Sequence, residues 1–136
     1  MAYWLVKSEP FKYSWDQLNV DGRTHWDGVR NHQAANNLKA MKVGDKAFFY
    51  HSNEGKEIVG IATVVREAYP DPGDPSGRFV MVDVAPDKPL KRPVTLQEIK
   101  ADPALAEIAL VRQSRLSVMP IEPAHWQHVL TLSERA

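Results

Sequence analysis

The sequence contains no cysteine. Disulfides, thiolate catalysis, zinc fingers and cysteine-ligated iron–sulfur clusters are excluded with it. It also lacks an excess of either charge, with 17 Lys+Arg against 17 Asp+Glu. Domains that hold long polyanions by bulk charge are strongly basic, so that class is excluded, whereas a pocket that grips one phosphate or one base is not. No long apolar run is present. The longest, Ile58 to Val65, is broken by Gly60 and Thr63 and falls far short of the ~20 residues a spanning helix needs, so no membrane partner is expected. The first residues, Met1-Ala2-Tyr3-Trp4-Leu5-Val6-Lys7, have neither a basic start nor a long apolar core and do not read as a signal peptide. Together with the missing cysteine this predicts a cytoplasmic protein. There is no repeat and no low-complexity tract. With 136 residues, 43% of them hydrophobic and 25% charged, the chain reads as one domain over 1–136.

What is there reads as short elements. Tyr3 to Lys7 is aromatic and β-branched, a strand. Ser14-Trp15-Asp16-Gln17 fits a capping box that opens a short helix closed by Asp21-Gly22. Ala34, Leu38 and Met41 share one helical face over Asn31 to Met41. Lys46 to His51 and Ile58 to Glu67 are strands, the second apolar on both faces and therefore central in a sheet. Tyr69 to Gly77 holds three prolines and two glycines, an irregular loop. Phe79 to Ala85 is a further strand. Thr95-Leu96-Gln97-Glu98 and Asp102-Pro103 are helix starts, the second helix ending near Leu110. Arg115 to Met119 is a last strand, and Pro123 opens a last helix, with Ile121 packing on Trp126. Regular βαβ alternation is absent. The expected class is α+β, a small curled mixed sheet or barrel of about five to six strands with short helices around it.

Few motifs point to chemistry. His125 and His128 share a helical face, but no third ligand stands at a metal-binding spacing, so no metal and no cofactor are expected. His51, Ser52 and Asp83 supply the residue types of a triad without a Gly-x-Ser-x-Gly elbow. Gly55 to Gly60 lacks the Lys-Ser/Thr of a phosphate loop. Four polar and aromatic clusters remain: Lys7-Ser8-Glu9-Pro10, Trp26-Asp27-Gly28-Val29-Arg30-Asn31, Tyr50-His51-Ser52-Asn53 and Arg112-Gln113-Ser114-Arg115-Leu116-Ser117. Rings beside donors, acceptors and cations suit a planar polar ligand. The same residues also suit core packing for Trp26, carboxylate pairing for Arg30 and Arg115, and turn capping for Ser8.

At these clusters the sequence resembles the EVE domain family. The resemblance rests on Tyr3 to Pro10, Trp26 to Asn31, Gly44-Asp45, Phe48 to Asn53, Tyr69-Pro70-Asp71, Val82-Asp83-Val84, Pro93 to Leu96 and Arg115 to Val118. It runs from about residue 2 to residue 132 and is similar to stand-alone bacterial members. It implies a PUA-like fold and a single EVE domain. Two positions depart from the family pattern: His32 stands where Tyr is usual, and Ala35 where Arg is frequent.

The resemblance further implies a binding module that reads a modified nucleobase in DNA or RNA. A cage that encloses a ring requires a flipped-out or single-stranded base. In this reading Trp26 is the stacking wall, with Tyr50 or His51 as the opposing ring. Ser8, Asn31, Ser52 and Ser117 read the base edge, and Lys7, Arg30 and Arg115 meet a phosphate or carbonyl. One cleft lined jointly by Ser8, Trp26, Arg30, Asn31, His51, Ser52 and Arg115 is therefore expected. No catalytic residue is assigned. The alternatives are a hydrolase acting on a modified nucleoside, as ASCH relatives suggest, with Lys7 or His51 as base and Ser52 as nucleophile, and an interaction module for an unrelated small molecule.

Overall fold

The computed structural model describes residues 1–135. Six strands form one sheet: β1 (Tyr3–Ser8), β2 (Thr24–Trp26), β3 (Lys46–His51), β4 (Glu57–Pro70), β5 (Val80–Thr95) and β6 (Val118–Ile121), in the order β2-β5-β4-β3-β1-β6. Only β1 and β3 are parallel, with Leu5 opposite Phe48 and Ser8 opposite His51; every other pair is antiparallel. The helices are α1 (Trp15–Asp21), α2 (His32–Ala40), α3 (Leu96–Ala101), α4 (Ala109–Arg112) and α5 (Pro123–Glu134), with a 3₁₀ turn at Pro103–Leu105.

The α+β class and the mixed sheet stand, but the curled barrel does not. The sheet is open, with β2 paired only to β5 and β6 only to β1. The reason lies in its edges. β2 has three residues and β6 has four, one of them Pro120, which has no N–H to donate. Such edges offer too few groups to pair with each other. Helix α2, which packs on β4, β5 and β6, covers the space instead.

Local signals place most elements. Ser14 caps α1 by accepting from the Gln17 N–H at 3.0 Å. The box is only half made, because Gln17 reaches forward to Asp21. Thr95 and Glu98 form the full reciprocal box on α3. Strand β5 extends far past Ala85, to Thr95, despite Pro86, Pro89 and Pro93. Its pairing with β4 shifts register several times along its length, and bulges are where a sheet tolerates missing donors.

The core lies between the sheet and its helices. Trp4, Ile61, Val64, Val82 and Leu116 are buried as expected, while Val59 and Val80 are only partly so. On one side Trp126 of α5 stacks on Phe48 at 3.8 Å and on Tyr3 at 4.4 Å between ring centroids. On the other, Trp15 lies flat against β4. A Cβ on Gly60 would sit 2.4 Å from the Trp15 indole, so only glycine fits there.

Candidate nucleic-acid interface

The C-terminal end of β1, the turn that follows it, β2 and its following loop, and the α4–β6 connection meet around a cleft of about 720 Å³. Of the ten residues singled out from the sequence, eight line it: Lys7, Ser8, Trp26, Arg30, Asn31, Ser52, Arg115 and Ser117. Tyr50 and His51 do not. Tyr50 is 3% exposed, and Lys7 Nζ lies 5.8 Å from its ring centroid. His51 is held below α1, where its Nε2 accepts from the Trp15 backbone N–H at 3.1 Å and its ring meets Phe49 edge-on. Burial lowers its pKa, and the neutral ring is what this acceptor role needs. His51 is therefore a helix-cap partner, and the other six of the seven residues expected to share a cleft do so without it.

Each lining residue has a local origin. Trp26 ends β2 and is 8% exposed, with Phe49 and Tyr13 both edge-on to its ring. It is the floor of the cleft rather than a free wall. Ser8 donates to the Tyr13 carbonyl at 2.6 Å and fixes the turn after β1. Asn31 caps α2 through Oδ1, which accepts from the Ala34 N–H at 2.9 Å. This leaves its NH2 group unused. The hydroxyls of Ser52 and Ser117 have no hydrogen-bond partner among the described residues.

The cations divide into engaged and free. Arg30 pairs with Asp71 at 2.9 Å, and its guanidinium lies over Phe79. Lys7 donates to the Ser114 carbonyl at 2.8 Å and has no carboxylate partner among the described residues; burial lowers its pKa. Arg115 is exposed and also lacks a carboxylate partner among them. Lys12 is 3.6 Å from Glu9.

Residues that sequence reasoning missed complete the frame. Tyr13, Thr24 and His25 also line the cleft. Tyr13 sits between Pro10 and Ser14 in a stretch with no periodicity, and its hydroxyl donates to Asp21. His25 faces Asp83, which also accepts from Arg23 and the Tyr69 hydroxyl. Asp83 is thus committed beside β2 and not beside His51 and Ser52. His128 is likewise committed, to Asp102 at 2.6 Å. The organiser of the cleft wall is Asp71, 3% exposed, which accepts from the N–H groups of Gly28 and Gly73 and from Arg30. Burial opposes its charge, but these three donors outweigh it and hold the carboxyl below its ordinary range. Gly28 at φ 77° lets its N–H reach that carboxylate. The two departures from the family pattern differ in place. The His32 ring lies tilted against Phe79, while Ala35 is 2% exposed in the core.

An open mixed sheet with a cleft of rings, hydroxyls and uncommitted cations at one end defines a ligand-binding module of the PUA-like class. The chain belongs to the EVE domain family, whose model matches residues 2–132. Rat thymocyte nuclear protein 1 is 38% identical over 97% of this chain and 74% of its own length. A protein of Rhodopseudomonas palustris solved by NMR superposes with a TM-score of 0.93 at 58% identity, over 98% of this chain and 93% of that one. The human THYN1 protein, solved in complex with 5-methylcytosine containing DNA, superposes with a TM-score of 0.94 at 36% identity, over 100% of this chain and 99% of that one.

Proposed function

We propose that this protein reads a modified nucleobase in nucleic acid and holds it in the cleft without transforming it. The observation that carries this is the convergence of eight residues from four separate segments on one cleft, in a chain that superposes on a human relative solved with 5-methylcytosine containing DNA. A base enters on the floor made by Trp26, against the rings of Tyr13 and His25 rather than those of Tyr50 and His51. The Ser52 and Ser117 hydroxyls and the Asn31 amide face its edge. Lys7 and Arg115 meet carbonyl or phosphate oxygen. A ring inside such a cleft has left the duplex stack, so the ligand is single-stranded or flipped out.

A hydrolytic route finds no assembled pair. His51 is occupied by Trp15, Asp83 by Arg23, His25 and Tyr69, and the Ser52 hydroxyl has no base on it. The test is a titration of single-stranded DNA carrying one 5-methylcytosine against the unmodified strand, with mass analysis afterwards. A buried methyl contributes about 0.8 kcal/mol, or about fourfold in affinity. Tighter binding of the methylated strand, recovered intact, supports a reader. Equal binding of both strands refutes recognition of this modification, and a new product mass refutes the absence of chemistry.

A further inference from the structure

Beside the cleft lies a second, shallower groove of about 340 Å³, between the start of α2 and the α4–β6 connection. Its lining is Asn31, Gln33, Gln113, Ser114, Arg115 and Leu116. Asn31, Ser114 and Arg115 line both spaces, so the two adjoin across these residues.

The chemistry of the two differs. The main cleft carries carboxylates, Glu9 and Asp27, among its lining residues; the groove carries none. Its one charge is the Arg115 guanidinium, which has no carboxylate partner among the described residues. The amides have defined leftovers. Asn31 Oδ1 is used by the α2 cap, so its NH2 is what remains. Gln33 and Gln113 bond to each other across the groove at 2.7 Å. Whichever amide donates in that pair, N–H hydrogens are left over on both side chains. The groove therefore offers a cation and amide donors with no anion to oppose them. That is what a phosphodiester oxygen requires, and it suits poorly a second base stacked on apolar surface.

We propose that this groove holds the phosphodiester joining the base in the cleft to its neighbour, so that the natural ligand is a strand and not a free nucleoside. The inference rests on the reader assignment for the cleft and adds a site to it. It also reconciles zero net charge with a polyanionic ligand: a small number of placed donors at one linkage replaces a basic face.

The test uses five probes on the whole chain. They are 5-methyl-2′-deoxycytidine, a DNA hexamer with one internal 5-methylcytosine, the unmodified hexamer, and the methylated hexamer with an uncharged methylphosphonate at one or the other linkage flanking the methylated base. The methylated hexamer is expected to bind at least tenfold more tightly than the nucleoside. Neutralising one flanking linkage is expected to lose about fivefold to tenfold, and the other much less. Gln113→Leu is expected to weaken binding of the charged hexamer and to add nothing once the sensitive linkage is neutral. Equal affinity for hexamer and nucleoside, or no effect of either methylphosphonate, overturns the groove. Hexamers that bind alike with and without the methyl group, yet still lose affinity on neutralisation, keep the groove and overturn the base reading. No binding of any probe overturns both.

Discussion

Asp45 and Asp71 are buried almost equally, at 4% and 3% exposure, and both are held below the ordinary carboxylate range. Burial opposes the charge in each, and hydrogen bonds overcome it. The donors differ. Asp45 accepts from the Trp4 indole and the N–H groups of Lys42 and Ala2, with no side-chain cation. It ties the entry of β1 to the turn before β3, next to the aromatic stack of Tyr3, Phe48 and Trp126. Asp71 accepts from Gly28, Gly73 and the Arg30 guanidinium, and so it fixes the loop that walls the cleft. Depth and pKa alone do not separate a structural carboxylate from a site-forming one. What separates them is the segment each one holds.

The comparison is sharpest under truncation. Asp45→Ala leaves the buried Trp4 indole N–H and two part-buried backbone N–H groups without a partner and is expected to cost about 2–4 kcal/mol, read by denaturant unfolding, while the folded fraction binds the methylated hexamer normally. Asp71→Ala is expected to cost less stability, about 1–3 kcal/mol, because Arg30 is 41% exposed and can turn to water. Its binding loss is the larger, tenfold or more. If the two variants exchange these profiles, the division between structural and site-forming carboxylates is wrong.

Next in size is the floor of the cleft. Trp26→Phe keeps an aromatic core contact yet shrinks the surface a base meets. A loss of about fivefold to tenfold is expected, since a full stacking contact contributes ~1–3 kcal/mol. The loss should persist at raised salt, unlike that of a phosphate contact. Lys39→Ala and Lys42→Ala, on exposed side chains at the far end of α2, are expected to change binding less than twofold. A reversal of that order would make the protein an electrostatic surface binder.

The acid response separates the same regions from a third residue. Stability from Asp45 and Asp71 is complete above the ordinary carboxylate value of about 3.9 and is lost as pH falls through their lower folded values. Removing either flattens the acid limb of an unfolding curve. His51 acts earlier. Its folded pKa is lowered by burial, so the unfolded chain binds the proton first. Stability is full above about pH 6.5 and declines below it as pH falls toward the folded value. His51→Gln, which keeps an acceptor for the Trp15 N–H, is expected to abolish that shallow decline without altering the carboxylate limb.

Much of this organisation was legible in the residues. Caps at Ser14 and Thr95 have a local cause, and local causes can be read along the chain. Strand β5 beyond Ala85 was not, because three prolines argue against a strand unless the partner supplies bulges, and pairing with β4 is a tertiary fact. Strand β2 was too short for any period. The curled barrel failed for a related reason: strand count is visible in a sequence, but whether two short edges meet is not. At the site, eight of the ten residues singled out from the sequence come together around one cleft. His51 was misplaced because its ring caps α1 at the Trp15 N–H, and Tyr50 because its side chain is buried; Ser52 reaches the cleft from just past the strand end. Tyr13, His25 and Asp71 act through contacts far apart in sequence, which composition and spacing do not show.

The four tryptophans offer the most direct test, since each indole N–H gives its own signal in a nitrogen–proton NMR spectrum. Trp4 reports on Asp45, Trp126 on the aromatic stack, Trp15 on the α1–β4 contact and Trp26 on the cleft floor. On titration with single-stranded DNA containing one 5-methylcytosine, Trp26 is expected to shift most, Trp15 less, and Trp4 and Trp126 not at all. Movement of Trp4 or Trp126 with Trp26 unchanged would place the ligand away from the cleft and contradict the account.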